Sequence, residues 1–147
     1  MKKIIMILVG VLTVSTSFAF TDKETINKQA LYAFKTEFAG ATEAAWKVNS
    51  DFYKVTFTMN EQKLFAYYNK SGEFMAVTSN ISSLQLPVYL QRSLKKFISN
   101  YWISDLFTIT NHDETSYYVT LETADLKIVL RSDNGSHWSV FQKSEKI

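Results

Sequence analysis

The stretch that most constrains the fold is residues 52–74, FYKVTFTMNEQKLFAYYNKSGEF. Its residues alternate between apolar and polar, which is the period of a β-strand with one buried face. Short polar segments at Asn60-Glu61 and at residues 69–72 interrupt this alternation. Connections this short join antiparallel neighbours. The stretch therefore predicts two strands and the start of a third in one antiparallel meander.

A second stretch, residues 117–138, has the same pattern, YYVTLETADLKIVLRSDNGSHW. Its Asn134-Gly135 pair predicts a type I′ hairpin turn, in which both central residues have positive φ. A strand near residues 43–48 precedes the first stretch, and a strand with Phe107 and Ile109 pointing toward the helices precedes the second. Each half of the chain thus predicts four strands.

An amphipathic segment precedes each set of strands. Thr21 and Glu24 form a capping box, and apolar residues at helical spacing follow, so we expect a helix over residues 22–39 with Gly40 as a left-handed C-cap. Pro87 suits the first turn of a second helix, predicted over residues 87–100.

The two halves can be laid over one another. Residues 55–57, VTF, match residues 119–121, VTL, and Trp46 matches Phe107. We therefore predict an α+β fold, a tandem repeat of a helix plus a four-stranded antiparallel meander, with repeats at about 22–78 and 87–142. The strands would form one sheet with both helices packed on one face. The alternative is two unrelated meanders with ordinary hairpin chemistry.

The N-terminus has the pattern of a secretory signal peptide. Lys2 and Lys3 precede an apolar run at residues 4–14, and Ser17-Phe18-Ala19 fits the small-x-small cleavage pattern. We expect a signal peptide at residues 1–19 and a single mature domain at 20–147. The alternative is an N-terminal membrane anchor, which the short apolar run and the polar residues after it disfavour.

Charge and cysteine content exclude several classes of protein. The chain has 16 Lys and Arg against 14 Asp and Glu. Removal of Lys2 and Lys3 balances the two, so the basic excess of a nucleic-acid-binding protein is missing. There is no cysteine, which excludes disulfides and a lipoprotein anchor.

The spaced aromatics and glycines resemble a known family. The runs AFKTEF-AGATEAAW, FYKVTF and LFAYYNKSGEF, followed by LP before a second helix, are similar to the PepSY-like, β-lactamase-inhibitor-like family of secreted bacterial proteins. The resemblance implies tandem helix-plus-four-strand units in an eight-stranded sheet and a location in the periplasm of Gram-negative bacteria or outside the cell. It implies no general activity. The inhibitor itself uses disulfides, so β-lactamase inhibition is not expected here.

Signatures of catalysis and of cofactor binding are missing. The sequence has no Cys nucleophile, no G-x-S-x-G, no H-E-x-x-H and no glycine-rich phosphate loop. The segment His112-Asp113-Glu114 resembles a weak metal site, but a polar turn explains it better, because structural sites use about four spaced ligands. His137 is expected on the surface. We therefore predict a non-enzymatic protein with no cofactor and no metal.

The stronger functional signal is the sheet face opposite the predicted helices. Alternation places aromatic and cationic residues there, a composition enriched in protein interfaces. The predicted binding residues are Phe52, Lys54, Phe65, Tyr67, Tyr118, Lys127, Arg131 and Phe141. Ordinary cross-strand pairing without binding is an alternative, and dimerisation through the same face is another. In this prediction the first half contributes apolar contacts and the second half contributes cations.

The sequence thus predicts a secreted binding module that docks a protein or peptide, such as an envelope enzyme or a protease, on its open sheet face. It predicts no stable membrane insertion after signal cleavage. The alternative function is a small-ligand carrier with a pocket between sheet and helices, lined by Trp46, Tyr53 and Tyr68.

Overall fold

A computed structural model describes residues 25–112 and 114–147 of the chain. The predicted signal peptide and the capping box at Thr21 and Glu24 lie outside the described residues. The elements in chain order are α1 (Lys28–Glu37), β1 (Thr42–Val48), β2 (Phe52–Met59), β3 (Gln62–Asn69), β4 (Phe74–Asn80), a 3-10 turn (Ser83–Gln85), α2 (Val88–Leu94), β5 (Trp102–Asn111), β6 (Glu114–Glu122), β7 (Leu126–Ser132) and β8 (Ser139–Glu145).

All eight strands belong to one antiparallel sheet, in which sequence neighbours are also spatial neighbours from β1 to β8. The pairing of β4 with β5, through Val77 opposite Thr110 and Asn80 opposite Phe107, joins the two halves. The α+β class and the single sheet are confirmed. The interpretation of the two halves as a repeat stays a prediction.

Each helix packs on the same side of the sheet over its own hydrophobic cluster. Ala30 and Phe34 of α1 contact Val55 and Phe57 of β2, which are 0% and 1% exposed. Leu90 and Leu94 of α2 lie over the inward residues of β5, β6 and β7, which are Leu106, Val119, Leu121 and Leu130. The alternation seen in the sequence therefore selected the helix-facing side of β2, β6 and β7 correctly, because successive side chains on a strand point to opposite faces. On β5 the prediction is wrong: Leu106 faces the helices, whereas Phe107 and Ile109 lie on the other side of the sheet.

The other side of the sheet has a third cluster, built from strand residues alone. It contains seven buried residues, with Phe65, Met75 and Phe141 packed against them. The buried members are Phe52, Tyr67, Ala76, Phe107, Ile109, Tyr118 and Val129. We call this side the open face, because no described helix covers it.

The first helix begins later than predicted. Residues 25–27 are not helical, and Asn27 is the N-cap, its Oδ1 accepting a hydrogen bond from the Gln29 backbone N–H at 2.8 Å. The Asn27 Nδ2 also donates to the Lys70 carbonyl at 3.1 Å. Asn27 is thus held by the β3–β4 turn, a contact that sequence spacing could not reveal.

The second helix is shorter than predicted. It ends at Leu94, and turns occupy residues 95–100. Pro87 is the N-cap residue and not part of the first turn. The range predicted for this helix included Phe97 and Ile98, but both lie beyond its end and are partly exposed.

Two turn predictions are also wrong. Gly40 does not have a positive φ, whereas Gly72 and Gly135 do, at 91° and 68°. Asn134 has no positive φ either, so the segment between β7 and β8 is not a two-residue type I′ turn. It runs from residue 133 to 138, and Trp138 donates a hydrogen bond from Nε1 to the Leu90 carbonyl of α2 at 3.2 Å.

Candidate functional site

The structure brings all eight predicted binding residues to the open face. Strand register places Lys54 opposite Tyr67 on β2 and β3, and Tyr118 opposite Arg131 on β6 and β7. Phe52, Phe65 and Phe141 belong to the cluster on this face, and Lys127 lies four residues before Arg131 on β7, so it points the same way. The predicted face is therefore one continuous surface across the sheet.

Three of these residues are not available to a partner. Phe52 is 4% exposed, and Tyr67 and Tyr118 are each 0% exposed. The rings cover one another: Phe52 and Tyr67 have centroids 5.7 Å apart, and Tyr118 stacks on Phe107 at 5.2 Å. The prediction that Phe52, Tyr67 and Tyr118 contact a partner is corrected, because they form the core of this face.

Two cations lie over that aromatic core. The Lys54 Nζ is 4.5 Å from the centre of the Phe65 ring and 5.7 Å from that of Tyr67. The Arg131 guanidinium carbon is 5.7 Å from the centre of Tyr118 and 5.9 Å from that of Phe141. A cation over a ring face within about 6 Å is attracted by the ring quadrupole. Lys54 and Arg131 thus cover the rings and present the polar surface of this face.

The charges of the two halves are not equivalent. Arg131 forms an ion pair with Asp133, with Nε to Oδ1 at 2.5 Å. Lys127 lies directly opposite Glu122 on β6. It also lowers the pKa of the Asp105 carboxyl, although burial has the larger effect and raises that pKa overall. The second half therefore has carboxylates beside its cations, although Glu122 forms its ion pair with Lys146 (Oε2 to Nζ, 2.6 Å) and not with Lys127.

In the first half, by contrast, two lysines face each other across neighbouring strands. Lys54 lies directly opposite Lys47 across the β1–β2 pair, and like charges in that position repel. Burial lowers the pKa of the Lys54 amine, and the charge of Lys47 lowers it further. Neither lysine forms an ion pair within residues 25–112 and 114–147. The prediction of an apolar first half and a cationic second half is corrected in one respect: Phe52 and Tyr67 of the first half are buried, and its two lysines face each other without a carboxylate among the described residues.

Lys47 is a surface residue that the sequence reading missed. The position of the turn between β1 and β2 could have revealed it. Val48 pairs with Tyr53 around the turn at residues 49–51, and the next pair along the strands is Lys47 with Lys54. A hairpin drawn from that turn would have placed the two lysines together.

Three hydroxyl groups are buried on the open face without a well-formed hydrogen bond among the described residues: the Tyr67 and Tyr118 phenols and the Thr78 hydroxyl. Burial raises the pKa of Tyr67 to about 12, although the neighbouring Thr78 hydroxyl lowers it, and burial raises that of Tyr118 to about 12. Both phenols are therefore neutral at physiological pH.

A groove lies on the other side of the sheet, between α1 and the edge strand β1. Its volume is about 400 Å³, and Phe34, Phe38 and Trp46 are among its lining residues. The predicted pocket residues Tyr53 and Tyr68 do not line it. They are 6% and 0% exposed and belong to the core beneath α1.

In the described part of the chain, no group of three or more His, Asp or Glu side chains is arranged to hold a metal ion. His112 is exposed, and its ring packs edge-on near Phe74, with centroids 6.1 Å apart. Asp113 lies outside the described residues, so the predicted polar turn is described only on either side of it.

Comparison with known proteins identifies the fold. No protein-family model matches the sequence, and no curated protein matches it either. A BLIP-like protein from Bacteroides fragilis has a similar structure, with a TM-score of 0.72 at 16% identity over 85% of this chain and 89% of that one. A DUF2874 family protein from Bacteroides ovatus gives 0.71 at 14% identity over 83% and 89%. This chain has a BLIP-like fold.

A third structure, from Bacteroides eggerthii and described as a periplasmic protein, gives a TM-score of 0.68 at 12% identity over 82% of this chain and 89% of that one. The resemblance to β-lactamase-inhibitor-like proteins is thus confirmed at the level of the fold. Among residues 25–112 and 114–147, no helix has the length and apolar character needed to span a bilayer.

Proposed function

We propose that this protein is a secreted, non-enzymatic binding module that docks an acidic segment of a protein or peptide on the open face, at the Lys47–Lys54 side. The observation that carries the proposal is the uncompensated lysine pair on β1 and β2. A partner carboxylate between the two amines would relieve their repulsion and form charge-assisted hydrogen bonds, which are stronger than neutral ones.

The surroundings of the lysine pair support a peptide partner. Phe65 is half-buried beside Lys54, so it adds apolar contact area next to the charge. The rigid ring cluster below fixes the position of Lys54, and less side-chain entropy is then lost on binding. The second half of the face carries ion pairs of its own and would contribute little to an acidic partner.

Selection of short random peptides, displayed on phage, against the immobilised protein tests this proposal. We expect the selected peptides to be enriched in Asp and Glu, and their binding to weaken with added salt, because exposed charge pairs are screened. The variant Lys54→Met should lose the enrichment in acidic residues. The variant Lys127→Met is the matched control, because it removes a lysine from the same face that already has Glu122 opposite it.

Three outcomes separate the parts of the proposal. Selected peptides that bind the open face but are not enriched in Asp and Glu would support docking on this face and contradict an acidic partner. Equal loss in both lysine variants would remove the special role of the first half. Selected peptides whose binding is unaffected by Lys54→Met, Lys127→Met and Phe65→Ser would overturn docking on this face.

The second candidate is a carrier of a small apolar ligand, and the groove beside α1 favours it. Its volume of about 400 Å³ is within the usual range for small-molecule sites. Mass spectrometry of the natively purified protein is expected to detect a retained ligand. The variant Ala44→Trp, which fills the groove from β1, should release it, and a ligand retained by this variant would argue against the groove.

We further propose that the chain is cleaved after Ala19 and acts in the periplasm or outside the cell, as an internally repeated, PepSY-like domain. The BLIP-like fold and the description of the Bacteroides eggerthii structure support this. N-terminal sequencing of the periplasmic form is expected to begin at Phe20.

Dimerisation through the open face is the competing use of that surface, and sedimentation of the wild type and of Phe65→Ser would detect it.

A further inference from the structure

The segment around α2 exposes an unusual number of large apolar side chains. Leu84 is 84% exposed, Ile98 is 46% exposed and Ile103 is 36% exposed. Together with Leu94 and Lys95, these three side chains line a groove of about 170 Å³. The groove exists because α2 ends at Leu94 and the chain turns away, which removes Ile98 from the buried stripe of the helix.

The same segment has charge of one sign only. No Asp or Glu occurs between Glu73 and Asp105, whereas Arg92, Lys95 and Lys96 all lie within that interval. All three are exposed, and none of them forms an ion pair with a described residue. Lys95 lines the groove itself, so a cation lies directly beside the exposed Leu84 and Ile98.

Projecting aliphatic side chains next to unpaired lysines are typical of segments that lie in a membrane interface. The apolar tips enter the boundary between headgroups and acyl chains, and the cations remain at the level of the anionic headgroups. A protein partner would also have to supply acceptors to three separate cations, whereas an anionic bilayer presents negative charge everywhere. The uniform sign of the segment therefore favours a lipid surface.

We propose that the surface formed by Leu84, Ile98, Ile103, Arg92, Lys95 and Lys96 binds peripherally to an anionic lipid bilayer. The groove takes the tip of one acyl chain, and the two adjacent lysines contact phosphate groups. The opposite side of the sheet, which carries Lys47 and Lys54, then faces away from the bilayer. This attachment is independent of the partner proposed above, because the helices and the open face lie on opposite sides of the sheet.

Vesicle flotation of the processed protein, purified from the periplasm, tests the proposal. We expect the protein to float with vesicles of phosphatidylethanolamine and phosphatidylglycerol, and to remain in solution with vesicles of phosphatidylcholine alone. The double variant Lys95→Gln/Lys96→Gln should lower partitioning by about fivefold for each lysine removed. The double variant Leu84→Gln/Ile98→Gln should abolish flotation, because it removes the inserted side chains.

The matched control is Tyr32→Ser/Lys35→Gln on α1, which changes an exposed aromatic (74% exposed) and a lysine on the same side of the sheet but outside this surface. It should float like the wild type. Equal flotation of the wild type and both test variants, or flotation with phosphatidylcholine alone, would overturn the proposal. So would concentration-dependent dimerisation that Leu84→Gln/Ile98→Gln abolishes, because that result identifies a contact between copies of the chain.

Discussion

Gly72 shows how a single residue couples the sheet to α1. It lies in the β3–β4 turn with a φ of 91°. A Cβ at this position would lie 2.7 Å from the Ala30 backbone nitrogen and 2.7 Å from the Gln29 Cβ. Only glycine combines this conformation with so close an approach to the helix.

We expect Gly72→Ala to lower the free energy of unfolding by about 3 kcal/mol, because backbone strain adds to steric overlap with α1. Urea unfolding at equilibrium measures this change. Gly40→Ala is the matched control: its φ is not positive, and the nearest atom to an added Cβ is the Met59 Cε at 3.9 Å. It should leave stability within about 1 kcal/mol of the wild type. A similar loss in both variants would contradict the role of Gly72.

At the scale of single elements, the ends of the two helices depend on contacts from outside each helix. The N-cap of α1 is Asn27, which also bonds the β3–β4 turn. Trp138, in the segment before β8, donates a hydrogen bond to the carbonyl of Leu90 in α2. Local propensity favoured longer helices at both places, and tertiary contacts selected the observed ends.

Because Asn27 makes two separate hydrogen bonds, we expect variants that lose one or both of them to lose stability to different degrees. Asn27→Ala should lower the unfolding free energy by about 1 to 2 kcal/mol, because it removes both the cap and the hydrogen bond to the Lys70 carbonyl. Asn27→Asp keeps an acceptor for the Gln29 N–H and loses only the second bond, so its effect should be intermediate. Thermal unfolding followed by circular dichroism distinguishes the two. An Asp variant that is as unstable as the Ala variant would show that the cap itself contributes nothing.

At the scale of the whole molecule, the sheet is packed on both sides, although the helices that the structure describes cover only one. The open face reaches core-like burial because its rings cover each other and two cations cover the rings. The consequence is a set of buried phenols on both faces, Tyr67 and Tyr118 on the open one and Tyr68 beneath α1. Burial raises the pKa of Tyr68 as well, and the nearby Glu37 carboxylate raises it further.

Because the pKa values of these buried phenols are raised, we expect the protein to lose stability at alkaline pH. Above about pH 10 the unfolded chain releases its tyrosine protons, while Tyr67 and Tyr118 in the folded chain keep theirs until the pKa of about 12. The unfolded state then binds fewer protons, so stability falls as the pH rises. Each of the two phenols should contribute a loss of about 2 to 3 kcal/mol between pH 10 and pH 12.

Urea unfolding at a series of alkaline pH values measures this loss. The double variant Tyr67→Phe/Tyr118→Phe should have a flatter dependence on pH. At neutral pH it should be as stable as the wild type or more so, because it removes two buried hydroxyls that have no partner in the described residues. Unchanged alkaline sensitivity in this variant would show that other groups cause the loss.

The sequence by itself determined the strands, their antiparallel order and, except on β5, the two faces. Alternation assigned Val55, Phe57 and Leu121 to the helix side and Lys54, Phe65 and Arg131 to the open side, because strand periodicity is a local property. Burial within the open face was not readable in the same way. Tyr67 and Tyr118 have the alternation of exposed residues, and only packing against Phe52 and Phe107 from other strands makes them core residues.

Only the tertiary structure decided where the charges and the exposed apolar groups act. Cross-strand register brought Lys47 opposite Lys54 and Glu122 opposite Lys127, so among the described residues two lysines of the first half face each other, whereas Lys127 of the second half faces a carboxylate. The early end of α2 exposed Ile98 beside Leu84 and Lys95. Pairing between strands and the end of a helix both depend on residues distant in sequence, and a pattern confined to one segment does not contain that information.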